Sequence, residues 1–185
     1  MKILIYDATQ KTIPGTSWVI GSWLYRRRFD CVVDAVTWRE ALEKSAQFAR
    51  THPVDEVQYW GHGVPGGMYL GKECLLSYAA HHDPLAAFGA ALAPNALVWF
   101  RVCAAFAGDH GKEYAERLVK LTQRRCASST YDIALWHSGQ HSLRPGDKPT
   151  WPSTEGLDKD GKPLWSARGL PNTIPFAQMT FPLTW

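Results

Sequence analysis

His62 and Cys103 are the residues of this 185-residue chain whose types and spacing best suit chemistry. Each follows an apolar, strand-like run. Val54 to Trp60 leads through Gly61 to His62-Gly63, and Leu97 to Val102 leads straight into Cys103. A cysteine nucleophile needs a base to take its proton, and N–H groups aimed at the oxyanion that forms on the attacked carbonyl. The two residues lie 41 positions apart, so two neighbouring parallel strands would bring both to one crevice at the carboxyl edge of a sheet. In that arrangement His62 is general base and acid and Cys103 attacks a carbonyl. Gly63, with no side chain to obstruct a substrate, shares the oxyanion with the N–H of Cys103. The other cysteines, Cys31, Cys74 and Cys126, read as small structural hydrophobes, and no Cys-x-x-Cys pair suggests a zinc knuckle or thioredoxin motif.

Several elements must hold these residues in place. Lys2 to Tyr6 reads as a buried strand ending at Asp7, followed by a Thr/Pro/Gly loop and then a helix over Ser17 to Arg28 with three arginines in its last turn. A second strand at Cys31 to Val33 leads into Thr37-Trp-Arg-Glu40, a capping box in which Thr37 and Glu40 satisfy each other's backbone donors, opening a helix to about Arg50. After the strand ending at Trp60, Gly61 to Gly67 is glycine-rich enough to read as loop, and a small hairpin turns at Gly71-Lys72. A short helix over Asp83 to Leu92, the strand ending at Val102, a helix over Asp109 to Leu121 and a strand at Arg125 to Ser128 complete the pattern. Strands separated by helices imply βαβ units and a parallel sheet covered on both faces. From Ala134 onward, prolines and tryptophans replace this alternation with a strand-poor tail wrapping the sheet.

Composition narrows the partners. A net charge of +3, with Arg26-Arg27-Arg28 as its only basic cluster, argues against nucleic acid. No apolar run approaches the roughly 20 residues of a membrane span, and Met1-Lys2 enters a strand without a signal pattern, so a cytoplasmic location is expected. His81-His82-Asp83 and His137-x-x-x-His141 are the weak metal-ligand candidates, the second in a context poor for a helix; no metal or other cofactor is expected. No Gly-x-Ser-x-Gly elbow, Gly-x-Gly-x-x-Gly or Walker loop is present.

An apolar strand followed by His62-Gly63, and another followed by Cys103-Ala-Ala, resembles the caspase-like cysteine peptidases. Ile3 to Asp7, His62-Gly-Val-Pro-Gly with Leu70-Gly71, Cys103-Ala-Ala-Phe-Ala-Gly108 and Ala127-Ser-Ser129 look closer still to an uncharacterised caspase-like domain of large bacterial surface proteins. The resemblance spans residues 2 to 133, although Arg101-Val-Cys-Ala-Ala departs from the Gln-Ala-Cys-Arg-Gly of caspases. It implies a three-layer α/β/α caspase-like fold with a mostly parallel central sheet. The core covers residues 1–133, and an irregular Pro/Trp-rich C-terminal extension, 134–185, packs on the same domain. It further implies a Cys-His endopeptidase acting on peptides or proteins, or, as the alternative, an inactive relative that binds a peptide or protein partner. The pocket for the residue before the scissile bond would draw on Asp7, on Arg101 and on the stretch from Tyr131, including Asp132 and Trp136. Asp7 would favour Lys or Arg there and Arg101 an acidic residue, with the balance toward a basic one.

Overall fold

The computed structural model describes residues 1–9, 26–81, 84–133, 137 and 139–167. Strands β1 (Lys2–Asp7), β2 (Cys31–Ala35), β3 (Glu56–Trp60), β7 (Leu97–Arg101), β8 (Arg125–Ser129) and β9 (Gln140–Leu143) form one six-stranded sheet in the order β2-β1-β3-β7-β8-β9. The first five are parallel and β9 runs antiparallel to β8. Interior strands β1, β3 and β7 are the largely apolar runs of the sequence, as burial on both faces favours, whereas interior β8 is Arg-Cys-Ala-Ser-Ser with buried serines. The molecule is therefore α/β, with a mostly parallel sheet flanked by helices.

Helices α1 (Trp38–Thr51), α2 (Leu75–His81), α3 (Pro84–Ala91) and α4 (Gly108–Thr122) follow in chain order. Helix α1 packs on α3 and α3 on α4. Their apolar sides share one core with Ile3, Ile5, Val57, Tyr59, Val98 and Phe100 of the sheet, so these helices cover one face. The expected helix over 17–28 falls largely outside the described residues; Arg26–Arg28 forms a single 3-10 turn. The capping box at α1 forms with one change. Thr37 Oγ1 accepts from Glu40 N at 3.2 Å, but the Glu40 carboxylate reaches back to Val36 N at 3.1 Å, one residue earlier than the sequence suggested.

The opposite face carries polar groups. Side-by-side partners in a parallel ladder share a face, so the register Leu4–Gln58–Trp99 and Tyr6–Trp60–Arg101 puts these residues together, away from the α1 core. There Gln58 Oε1 accepts from Trp60 Nε1 at 3.0 Å and from the Arg101 guanidinium at 3.3 Å, and Trp99 Nε1 donates to Gln140 Oε1 at 2.9 Å. Among the described residues, no helix is long and apolar enough to cross a membrane.

Two expectations are corrected. The glycine-rich segment after β3 is not loop: β4 (His62–Val64) and β5 (Gly67–Leu70) pair antiparallel, and β6 (Glu73–Cys74) adds a third strand. Glycine has poor intrinsic strand propensity, but here Tyr69 and Met68 across the hairpin supply the pairing for His62 and Gly63. The segment after residue 134 also contributes a sheet strand, β9, whose Gln-His-Ser-Leu sequence has no apolar alternation to announce it.

Candidate functional site

Asp7, His62, Cys103 and Asp132 all follow from the carboxyl ends of parallel strands β1, β3, β7 and β8, the edge where such sheets bind ligands. The β4–β5 hairpin folds its glycine backbone against the Cys103 turn. A Cβ added at Gly63 would lie 2.6 Å from Val102 Cγ2 and closer still to the Cys103 carbonyl oxygen, so no larger residue fits without displacement. The residue after His62 thus touches the backbone of Cys103.

Cys103 sits at a sharp bend. Ala104 is left-handed, with φ 44°, a conformation that strains a residue carrying a Cβ and that tends to occur where function needs it. Hydrogen bonds fasten this bend on both sides. Gly66 N donates to Ala105 O at 3.2 Å from the hairpin, while Ala104 N donates to Tyr131 O at 2.9 Å and Phe106 N to Ser129 O at 3.0 Å. Among the described residues the Cys103 N–H meets no backbone acceptor.

The thiol itself leans toward the segment after β8. Its Sγ donates to Ile133 O at 3.8 Å, next to Asp132, whose carboxyl interacts electrostatically with the thiol. Burial pushes the Cys103 thiol above its ordinary range; the Ile133 backbone opposes this and the Asp132 carboxylate adds to it. Burial likewise raises Asp132, and the nearby Cys103 thiol opposes this. Burial and the nearby carboxyl thus both favour the protonated thiol over the thiolate. Cys126, fully buried beside Thr122, is pushed up to about 12, as befits a structural thiol.

The proposed substrate residues are not gathered in one pocket. Asp7 is fully buried: Oδ1 accepts from Thr9 N at 2.8 Å and Thr9 Oγ1 at 2.6 Å, and Oδ2 accepts from Gly71 N at 3.0 Å. Its carboxyl ties the β5–β6 turn to the sheet. Arg101 is also buried, its guanidinium 4.6 Å from the Trp60 ring centroid and 5.2 Å from that of Trp99. Because Arg101 aligns with Tyr6 across the sheet, Asp7 one residue on belongs to the other face and the two do not pair across it. Trp136 lies outside the described residues. Of the three that are described, Asp132 is the one that interacts with the thiol.

His137 and His141 do not converge as ligands: His137 Nδ1 lies 3.2 Å from the Arg101 guanidinium, whereas His141 Nε2 meets Glu155 Oε1 at 2.5 Å. Among the described residues, no cluster of three or more His, Cys, Asp or Glu could hold a metal ion; His82 and Asp83 fall outside them.

The extension supplies a wall that sequence reasoning missed. Trp151 stacks on Phe106 and His141 and donates from Nε1 to Phe106 O at 2.9 Å. Glu155 Oε1 also accepts from Thr130 Oγ1 at 2.8 Å. Farther along, Asp132 N donates to Leu164 O at 2.9 Å and Ser166 N to Asp132 O at 2.7 Å, a parallel bridge that sets Trp165 beside Asp132. A tryptophan among prolines is the only sequence signal for that placement, and it does not say what the residue faces.

No curated protein matches the chain. The model of the family described as Domain of unknown function (DUF4347) matches residues 32–139, which include His62, Gly63, Cys103 and Asp132 but not Trp165, and the chain belongs to that family.

Proposed function

We propose that the protein is a cysteine endopeptidase with a caspase-like three-layer fold, in which Cys103 attacks a peptide carbonyl and His62 takes and returns the proton. The observation that carries this reading is the contact of the Gly63 backbone with the Cys103 turn, which joins the His-Gly hairpin to the candidate nucleophile at the ligand-binding edge of a parallel sheet. The left-handed Ala104 supports it, since a strained turn of this kind is what an oxyanion site uses, and among the described residues the Cys103 N–H meets no backbone acceptor. The Gly63 N–H is the second donor in this scheme.

The raised thiol specifies how such an enzyme would work. His62 acts as a general base as the sulfur attacks, rather than by holding a preformed thiolate–imidazolium pair. The sulfur bonds to the carbonyl carbon as its proton passes to His62; the C–N bond then breaks as His62 gives that proton to the leaving amine, leaving a thioester. Water, giving a proton to the same imidazole, attacks the thioester, and the C–S bond breaks as that proton returns to the sulfur, releasing the carboxylic acid and the free thiol. The same raised thiol also suits the second reading, a silent module that binds peptides without cleaving them.

Hydrolysis of a fluorogenic peptide library, with peptide-mass mapping of a thiol alkylator over pH 5 to 9, tests the choice. Turnover abolished by Cys103→Ala and reduced at least about a hundredfold by His62→Ala is the expected result. Alkylation of Cys31, Cys74 and Cys103 at similar rates, indifferent to His62→Ala and with no peptide turned over, would move the assignment to the binding module.

A further inference from the structure

Trp165 stands out on the surface. Among the described residues the exposed large hydrophobics are Met1, Val36, Val64, Leu164 and Trp165, and the indole of Trp165 is the most open at 68%. Three of these five lie on the segments that carry the candidate site. Val64 follows Gly63 in β4, and Leu164 and Trp165 lie on the segment paired with Asp132. A large aromatic ring left this open next to a carboxyl-bearing segment is a candidate contact for a ligand.

The bridge decides what Trp165 can do. Paired residues of adjacent extended segments point to the same side, whereas Leu164 and Ser166 alternate to the other. Trp165 therefore stands on the side of Asp132, and the Asp132 segment lies against the nucleophile turn, with Cys103 Sγ 3.8 Å from Ile133 O and Ala104 N 2.9 Å from Tyr131 O. An exposed aromatic face beside a half-buried carboxyl attracts a cation twice over, through the ring quadrupole and through charge. A neutral or acidic side chain gains from neither.

We propose that Trp165 and Asp132 form the subsite for a Lys or Arg side chain on the peptide residue whose carbonyl Cys103 attacks. The inference rests on the endopeptidase reading and assigns its substrate class. It moves basic selectivity from Asp7, whose carboxyl is held by Thr9 and Gly71, to a pair half of which lies on the C-terminal extension. Asp132 precedes Ile133, whose carbonyl accepts from the Cys103 thiol, and this closeness along the chain assigns the cation to the attacked residue.

Two matched fluorogenic peptides, identical except for Lys or norleucine before the scissile bond, provide the test. Wild type is expected to prefer Lys in kcat/KM. Trp165→Ala should cut that preference about tenfold, chiefly through KM, Trp165→Phe should restore most of it, and Asp132→Asn should abolish it. The Tm and the iodoacetamide rate at Cys103 should be unchanged in Trp165→Ala, since the ring is exposed. In parallel, the Cys103→Ala chain is titrated with the uncleaved Lys and norleucine peptides by fluorescence anisotropy. Hydrolysis whose Lys preference survives Trp165→Ala overturns the subsite and leaves the peptidase standing. Absent hydrolysis with Trp165-dependent binding of the Lys peptide overturns the peptidase and leaves the subsite. Neither hydrolysis nor a Lys preference in binding overturns both.

Discussion

Gly63 backs directly onto Cys103: a Cβ at position 63 would overlap the Cys103 carbonyl oxygen and the Val102 side chain. This one approach couples the β4–β5 hairpin to the turn after β7, and both partners are backbone or β-branched, with little room to move.

Gly63→Ala should consequently act on stability and site together. Overpacking against backbone costs about 1 to 3 kcal/mol. Urea unfolding should show a lower midpoint at unchanged slope, and Cys103 should alkylate at a different rate from wild type at every pH. A stability equal to wild type would mean that the hairpin does not rest on the Cys103 turn.

The reactivity of Cys103 should depend on Asp132 in a definite direction. Only the thiolate alkylates, and burial together with the Asp132 carboxylate raises the thiol, so the wild-type rate should climb to a midpoint above the ordinary thiol value of about 8.5. Asp132→Asn removes a negative charge beside the forming thiolate, which lowers the midpoint. Burial persists in that variant, so the midpoint should stay above the ordinary value. Iodoacetamide rates at Cys103 across pH 6 to 10 in the two proteins measure the shift, and an upward movement in Asp132→Asn would contradict the geometry.

Asp7 and Arg101 should matter for folding and not for substrate charge. Asp7→Ala strands the Gly71 N–H and the Thr9 donors, a loss of about 1 to 3 kcal/mol for a buried unsatisfied group. Arg101→Met removes the cation between Trp60 and Trp99 and the donor to Gln58, with a similar cost of about 1 to 3 kcal/mol. Thermal unfolding should report both losses. The ratio of basic to acidic peptides cleaved should stay at its wild-type value in each.

Two glycines of the extension separate strain from collision. Gly156 and Gly161 both have φ near +77°, at 78° and 76°. Nothing lies within 4 Å of a Cβ at Gly161, whereas a Cβ at Gly156 would collide with the Thr130 carbonyl. Gly161→Ala should cost only the backbone penalty of about 1 kcal/mol. Gly156→Ala should cost more than twice as much and loosen the segment carrying Glu155 and Trp165, which limited proteolysis would detect as earlier cleavage after residue 150.

The strands that carry His62 and Cys103 were legible because each is an apolar run ending in a polar or small residue, and helix α1 because Thr37 and Glu40 announce its start. Strand β4 was hidden: His-Gly-Val has neither alternation nor propensity, and forms because Tyr69 and Met68 lie opposite. Strand β9 was hidden for the same reason, since Gln140 and His141 are buried by pairing with β8 and by partners at Trp99 and Glu155.

Local pattern was enough to determine an α/β chain with His62 and Cys103 at the ends of apolar strands, because periodicity and capping depend on neighbours a few residues away. Which polar groups remain available for a substrate was decided only by tertiary structure. Asp7 is consumed by a glycine N–H 64 residues along the chain, Arg101 is enclosed between two indoles on the face opposite Asp7, and Asp132 is joined by Trp165 through a bridge to the extension. Hydrogen bonds and ring contacts of that span are set by which strands lie side by side, and residue order alone does not encode that adjacency.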